Sequence, residues 1–236
     1  MSPAEFDRHA AAYDGGLDNP VKRLMGDQAD QFIAVKARWL LRREPGLTSG
    51  GLAVLDYGCG AGDFMRVLAT MGARATWQGC DVSVGMLAEA ERRWPAGLGP
   101  PPRLVAQQAA AAPFDDAAFD VVLVSAVLHH VPPAERPAVW RELARLLKPG
   151  GRLYVFEHNP RNPLVRYVVA RTPIDANAVL LDSVEVRQGV RDAVGPVQAT
   201  DYLMFMPPGL PALAPIDRLL TGLPLGAQYV VAARKA

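Results

Sequence analysis

Two neighbouring histidines, His129 and His130, follow a continuous apolar run, and a third, His158, follows another. An unperturbed imidazole changes its charge between about pH 5 and 8, so it can take a proton from a reacting group. Both apolar runs are predicted β-strands, and open α/β sheets bind ligands at the carboxyl ends of their strands. We therefore expect one of these histidines to be a catalytic general base, the alternative being a structural role.

A metal site at the histidine pair is not expected from the sequence. Adjacent residues rarely direct both side chains to one ion, and no third ligand stands at ligand spacing from His129 and His130.

Three glycines at alternate positions, Gly58, Gly60 and Gly62, form the second group of interest. An apolar run that ends in Asp56 precedes them and an amphipathic segment follows, which predicts a strand, a tight turn and a helix. Glycines let a ligand lie against bare backbone, and a helix start directs free N–H groups towards it. We expect a ligand site at the carboxyl end of the first strand of an open α/β sheet.

The spacing of these glycines argues against a pyrophosphate. A dinucleotide fingerprint would place its third glycine at position 63, where the chain has Asp63, whose carboxylate would repel phosphate. A positively charged cofactor that carries a nucleoside but no phosphate fits better. Asp81, about 20 residues further on at the end of the next predicted strand, is placed to accept hydrogen bonds from a ribose diol. The alternative for Asp81 is a carboxylate favoured at a helix start.

Three segments resemble one known family. LDYGCGAGDF at 55–64 resembles motif I of the class I S-adenosylmethionine (SAM) dependent methyltransferases. SAVLHHVP at 125–132 is similar to the fourth-strand motif of the UbiE-like, or type 11, small-molecule methyltransferases, and the LKPGG turn at 147–151 is typical of the same family. The resemblance spans about residues 6 to 234 and implies SAM as cofactor.

The resemblance also implies which residues contact the cofactor. The three glycines would pass close to the methionine portion, Asp56 would face its ammonium group, and Asp81 would take the ribose hydroxyls. Met86 and Gln108 correspond to adenine-side positions, and Gln108 stands where the family commonly has an acid. The complete expected set is Tyr13, Asp56, Gly58, Gly60, Gly62, Asp81, Val82, Met86, Gln108, Ala109 and Ser125.

The expected fold class is α/β. It is a Rossmann-like, seven-stranded, mostly parallel sheet with an antiparallel last strand, helices on both faces and an N-terminal helical cap. Strands are predicted at 51–57, 75–81, 103–108, 121–127, 152–156, 199–206 and 228–234, and helices at 4–13, 27–43, 62–71, 83–94, 134–147, 165–170 and 175–191. Residues 1–236 are expected to form a single domain, with the cap at 1–46 and the core at 51–236.

A polar loop around 157–175 is predicted on the substrate side of the sheet. It is dense in polar and turn-forming residues at a strand's carboxyl end, where α/β scaffolds carry binding groups. His158, Asn159 and Arg166 are its candidate substrate contacts, and Asp175 is the predicted cap of the helix that follows. The alternative is a capped surface loop.

Composition limits the class of partner. The 236 residues carry a net charge of +1 without a basic block, so nucleic acid is not indicated. The sequence has neither an apolar signal region nor an apolar run of about 20 residues, so no secretion and no membrane span are expected. Two cysteines, read as reduced thiols, favour a cytoplasmic protein, and abundant Ala, Arg, Gly and Pro hint at a bacterial one.

The resemblance implies methyl transfer from SAM to a small-molecule acceptor by in-line displacement. Oxygen and nitrogen acceptors are favoured and a carbon acceptor is possible, with His129, His130 or His158 as the base.

Two alternative functions remain. A nicotinamide oxidoreductase is disfavoured by the missing glycine at position 63 and the two strands after the five-strand unit. A non-catalytic SAM-binding regulator or partner subunit is disfavoured by the histidines.

Overall fold

The computed structural model describes Asp7, residues 29–206 and residues 214–236. Within these ranges seven strands form one sheet in the order β3-β2-β1-β4-β5-β7-β6. The strands are β1 (Leu52–Tyr57), β2 (Ala75–Asp81), β3 (Arg103–Ala106), β4 (Phe119–Ser125), β5 (Leu147–His158), β6 (Val197–Leu203) and β7 (Gln228–Arg234). The first five strands pair in parallel, and β7 runs antiparallel to both β5 and β6. The expected fold class is confirmed.

The helices lie on both faces of this sheet. They are α1 (Ala29–Arg43), α2 (Gly46–Ser49), α3 (Asp63–Thr70), α4 (Val84–Arg93), α5 (Arg136–Leu146), α6 (Pro163–Val169), α7 (Ser183–Ala193) and α8 (Ala214–Leu219). None of the helices in the described ranges has the length and apolar character that crossing a bilayer requires.

Alternating side chains of β4 supply both cores. Val121 and Leu123 belong to a buried cluster with residues of α1 and α3, whereas Val122 and Val124 belong to a second cluster with residues of α5 and α7. All four valine and leucine side chains are fully buried. A strand whose two faces are both covered reads as a continuous apolar run, which is the pattern of this segment.

Several strand boundaries differ from the prediction. β3 ends at Ala106 rather than 108, and β4 ends at Ser125 because Ala126 takes a left-handed conformation with φ +59°. β5 begins at Leu147, so the 147–151 segment predicted as a turn belongs to the strand as an irregular stretch opposite Phe119. β6 covers Val197–Leu203 rather than 199–206.

Helix α1 is the described part of the expected N-terminal cap. Its Trp39 packs edge-on against the rings of Tyr154 and Phe156, with centroids 6.0 and 5.8 Å apart, and its Nε1 donates to Asp201 at 2.8 Å. These contacts hold α1 on the sheet beside β5. The helix expected at 4–13 falls outside the described residues except for Asp7, and so does Tyr13.

The helix predicted at 175–191 begins later than expected. α7 starts at Ser183, where the Asp182 carboxylate caps it by accepting from the Val184 N–H at 2.9 Å. Asp175 instead ends a 3₁₀ turn at Pro173–Asp175. The prediction that Asp175 caps α7 is wrong, because the intervening segment is drawn away from a helical path by contacts with the loop after β4.

Candidate active site

The carboxyl ends of β1 and β4 meet where the strand order of the sheet reverses. Gly58, the first residue after β1, has φ +71°, and a Cβ added there would lie 2.6 Å from Cγ2 of Val127 in the loop after β4. A side chain would therefore be strained and would collide with that loop. Gly58 is needed for the two loops to touch, and reversal points of this kind form the binding crevice of open α/β sheets.

Gly60 leaves open space in front of the turn. Its φ is +51°, and an added Cβ would meet no atom within 4 Å. Its N–H donates to Oδ2 of Asp81 at 2.8 Å. At Gly62, by contrast, an added Cβ would lie 3.0 Å from the Cβ of Ala90, so this glycine lets α3 pack against α4. The space at Gly60 is what a ligand lying against backbone requires, so the turn fits the expected cofactor.

Asp81 ends β2 and faces the glycine turn. Besides the Gly60 N–H, its carboxylate accepts from the Ser83 N–H at 2.9 Å. Burial raises the pKa of Asp81, against the lowering effect of these backbone donors. The Ser83 hydroxyl accepts from the Met86 N–H at the start of α4 and donates to Asp7 at 2.5 Å. The carboxylate expected to bind ribose therefore lies beside the glycines, as the spacing predicted, and Asp7 reaches the same corner.

A buried pair of opposite charges lies at the end of β1. Asp56 is 2% exposed, and burial raises its pKa to about 7 although Lys36 of α1 opposes the shift. Burial also lowers the pKa of Lys36 to about 8. The Lys36 ammonium donates to Oγ of Ser125 at 2.6 Å and lies 5.2 Å from the ring centre of Phe64. Sequence reasoning missed Lys36, because a lysine in an amphipathic helix looks like an ordinary surface residue.

The adenine side differs in detail from the expectation. Gln108 and Ala109 are exposed, and the main chain of Gln108 pairs with Ala111 in a tight turn. The side chain of Gln107 is the one directed inward, and its Oε1 is buried without a hydrogen-bond partner among the described residues. The early end of β3 shifts the inward position by one residue. Val82 is half-buried and Met86 is buried, and contacts of Val82, Met86, Gln108 and Ala109 with the cofactor remain predictions.

His129 is held by a carboxylate from the neighbouring strand. It lies in a 3₁₀ turn, Leu128–His130, and its Nδ1 is 2.6 Å from Oε2 of Glu157. The other oxygen of Glu157 accepts from the N–H groups of Val127 and Leu128 at 3.0 and 2.7 Å. Burial by itself lowers the pKa of His129, but the carboxylates of Glu157 and Asp175 outweigh it and raise that pKa to about 9.

Asp175 brings the two neighbouring histidines together. Its Oδ1 lies 3.5 Å from Nε2 of His129 and 3.5 Å from Nε2 of His130. The ring of His158 lies 5.1 Å from that of His129, so the three predicted histidines form one cluster with Glu157 and Asp175. Burial and then the charge of His129 lower the pKa of His130 and of His158 to about 4.

Hydrogen bonds hold the chain that follows Asp175 against this cluster. The Val179 N–H donates to the carbonyl of His129 at 2.8 Å, which ties the chain after Asp175 to the loop after β4. Arg136, only 3% exposed, donates from Nη2 to the carbonyl of Val179 at 2.6 Å and from Nε to that of Val131 at 3.1 Å. These are long-range contacts, so no local pattern in the sequence marks Asp175 or Arg136.

Asn159 and Arg166 are the other predicted substrate contacts. The hydrogen bonds of the Asn159 side chain are made outside the histidine cluster. The Asn159 amide donates to the carbonyls of Pro224 and Gly226 at 3.1 and 2.8 Å, and its oxygen accepts from the Arg161 N–H. These bonds explain Asn159 as an anchor for the chain before β7. Arg166 is exposed on α6. A substrate contact for either residue remains a prediction.

Comparison with known proteins agrees with this geometry. Residues 54–151 match the methyltransferase domain family. The chain is 39% identical over 181 residues to a demethylmenaquinone methyltransferase of Mycolicibacterium gilvum, covering 74% of this chain and 70% of that protein. It is 36% identical over 181 residues to the enzyme of the same name from Mycobacterium tuberculosis, covering 74% and 68%.

The fold has a solved counterpart. The magnesium protoporphyrin IX methyltransferase of Synechocystis superposes with a TM-score of 0.67 at 23% identity, covering 99% of this chain and 95% of that one. The relatives and the fold agree with the motifs around Gly60 and His129. The chain belongs to the class I SAM-dependent methyltransferases.

Proposed function

We propose that this methyltransferase acts on a small molecule whose acceptor atom carries a proton, and that His158 removes this proton. Oxygen and nitrogen acceptors are favoured. The observation that carries the proposal is the cluster of three histidines at the carboxyl ends of β4 and β5, on the same sheet edge as the glycine turn and Asp81. Enzymes of open α/β type place cofactor and substrate in this crevice.

The residues present fit the cofactor. SAM supplies, when bound, a methyl group on a positively charged sulfonium. The open space at Gly60 accommodates the methionine portion against backbone, and the Asp81 carboxylate has lone pairs left for the ribose hydroxyls. Asp56 offers a counter-charge for the ammonium group. Holding the acceptor in line with the methyl group and excluding water would supply much of the rate.

The assignment of the base to His158 follows from what the other rings contact. Nδ1 of His129 is occupied by Glu157, and Nε2 of both His129 and His130 faces Asp175. His158 is the member of the cluster without a carboxylate at ion-pair distance in the described structure. His129 and His130 then hold the edge of the acceptor site, and His158 accepts the proton.

Carbon is the second candidate acceptor. The relatives at 36–39% identity are named for demethylmenaquinone, so a quinol-type substrate belongs in any panel.

The net charge of +1 supports a small molecule over nucleic acid. Two free, buried cysteines, Cys59 and Cys80, support a cytoplasmic location.

The test is transfer from labelled SAM to a panel that contains phenols, amines and a demethylmenaquinone-type quinol. We expect one class to be methylated, and we expect His158→Gln to lower kcat by about 10²- to 10⁴-fold with that acceptor, the usual contribution of a general base. Binding of S-adenosylhomocysteine should stay unchanged in the variant. An undiminished kcat in His158→Gln would exclude this base and leave positioning alone as the source of the rate.

A further inference from the structure

We propose that His129, His130 and Asp175 bind one divalent transition-metal ion, with Zn²⁺ as the representative of the class. Each residue offers one ligand atom, and the three atoms lie within 4.8 Å of one another. His129 is buried, and His130 and Asp175 are half-buried, so the group is not a loose surface cluster. The sequence argument against a metal rested on the adjacency of the two histidines and on the lack of a third ligand at ligand spacing. In the fold, Oδ1 of Asp175 lies 3.5 Å from Nε2 of both rings.

The interatomic distances fit a metal site better than a set of hydrogen bonds. Oδ1 of Asp175 is 3.5 Å from both Nε2 atoms, whereas a good N–H···O bond spans roughly 2.7–3.2 Å. Two ligands bound to tetrahedral Zn²⁺ at about 2.0–2.2 Å stand roughly 3.3–3.6 Å apart. The separation of Asp175 Oδ1 from each Nε2 atom already falls in this range.

Glu157 prepares His129 for this role. Its Oε2 takes the Nδ1 side of the ring at 2.6 Å, which leaves Nε2 directed at Asp175. A carboxylate that orients a metal-binding histidine through its other nitrogen is the usual outer partner of such sites. Glu157 is itself fixed by the N–H groups of Val127 and Leu128, so the ring is held before any ion arrives.

The charge of the pocket also favours a cation. Two carboxylates, Glu157 and Asp175, face the imidazole of His129 from opposite sides. A proton on His129 balances only one of them, and a divalent ion in its place would balance both. Two histidines and one carboxylate are a ligand set that suits zinc and non-haem iron, and three protein ligands leave a position open.

The open position gives the ion a use in the reaction. An acceptor oxygen bound there would lose its proton more readily, with His158 as the group that takes it. This use rests on the proposed function, but metal binding by the cluster does not.

The experiment measures Zn²⁺ binding by the full chain. Protein is stripped with a chelator, dialysed against Zn²⁺, and its metal content and affinity are determined for wild type, His130→Ala, Asp175→Asn and Glu157→Gln. We expect one ion per wild-type chain. We expect a loss of at least about 100-fold in affinity for the two ligand variants and about 10- to 100-fold for Glu157→Gln. His129 is left intact because it shares a buried contact with Glu157.

Asp192→Asn is the matched control, since Asp192 is an exposed carboxylate that accepts from the Gln188 amide one turn earlier on α7. It should retain wild-type affinity. Absence of bound Zn²⁺ in wild type, or equal affinity in all variants, would overturn the site. Binding of S-adenosylhomocysteine to the same samples, together with their circular dichroism, separates loss of the ion from misfolding and from failure of the methyl-transfer proposal.

Discussion

Nδ1 of His129 lies 2.6 Å from Oε2 of Glu157, and both side chains are 1% exposed. The contact joins two neighbouring parallel strands, because Ser125 at the end of β4 is in register with Phe156, the residue before Glu157. Glu157 also accepts from two backbone N–H groups of the loop after β4. One carboxylate therefore organises the loop that carries two of the three clustered histidines.

Replacing Glu157 with Gln should destabilise the protein. Breaking a buried ion pair costs about 3–5 kcal/mol, and the retained amide oxygen of Gln keeps part of the backbone bonding. We expect the free energy of unfolding to fall by about 2–4 kcal/mol in the presence of a chelator, measured by urea denaturation. Asp116→Asn removes a surface pair with Arg145 and should cost at most about 1 kcal/mol. Equal stability of the two variants would contradict the role given to Glu157.

Gly58 and Gly60 should respond differently to alanine. Gly58→Ala combines a left-handed backbone with a Cβ placed 2.6 Å from Val127, and we expect it to cost at least about 3 kcal/mol of stability. Gly60→Ala meets open space, so only about 1–2 kcal/mol of backbone strain is expected.

For cofactor binding, in contrast to stability, Gly60→Ala should be the more damaging of the two substitutions. The added methyl at Gly60 enters the space assigned to SAM and should weaken binding about 10- to 100-fold in calorimetry, although the variant remains folded. Full affinity in Gly60→Ala would place the cofactor away from this glycine.

The sequence predicted the parts of the site that local patterns encode. The glycine turn follows β1, Asp81 ends β2 and the histidine pair follows β4, and strand ends can be located from apolar runs. The antiparallel last strand, β7, was predicted from the family resemblance. The predicted end of β3 was wrong by two residues, and Gln107 rather than Gln108 is the buried side chain there. A contact of Gln108 with the adenine stays a prediction.

The site residues that the sequence analysis did not identify are those whose roles depend on tertiary contacts. Lys36 reaches Ser125 from a helix far earlier in the chain, and Asp175 reaches the histidines through a turn held by Arg136 and Val179. Each looks ordinary in its own segment, as a helix-surface lysine or a helix-capping acid. Periodicity and capping rules describe neighbours along the chain, so they carry no information on these contacts.

Asp81→Asn should weaken cofactor binding while keeping the fold. The amide retains one acceptor for the N–H of Gly60 or Ser83 but loses the charge-assisted bonds expected to the ribose, worth about 1.5–3 kcal/mol. We expect affinity for S-adenosylhomocysteine to fall about 10- to 100-fold, measured by calorimetry. Asp116→Asn, remote from the glycine turn, should bind normally. Unchanged affinity in Asp81→Asn would contradict the ribose assignment.

SAM affinity should rise with pH because of Asp56. Its pKa is raised to about 7, so the carboxyl group is mostly neutral at pH 6 and mostly charged at pH 8. If only the carboxylate attracts the cationic cofactor, affinity should increase about 10-fold over this range. The pKa of Lys36 is lowered to about 8, so its competing positive charge is progressively lost as the pH rises towards and past 8. This loss adds to the increase in SAM affinity. The charges of Asp81 and Asp63 act on Asp56 in the same direction as burial, because they also raise its pKa.

The stability of the free protein should respond to Asp56 with the opposite sign. Between the unfolded pKa near 3.8 and the folded value of about 7, the native state holds the extra proton, so stability falls as pH rises through that window. Asp56→Asn removes both effects, and its SAM affinity should follow only the smaller Lys36 component. Titration of SAM into wild type and Asp56→Asn at pH 6, 7 and 8 measures how steeply the affinity of each protein rises with pH. A wild-type profile no steeper than that of Asp56→Asn would show that Asp56 does not face the cofactor's charge.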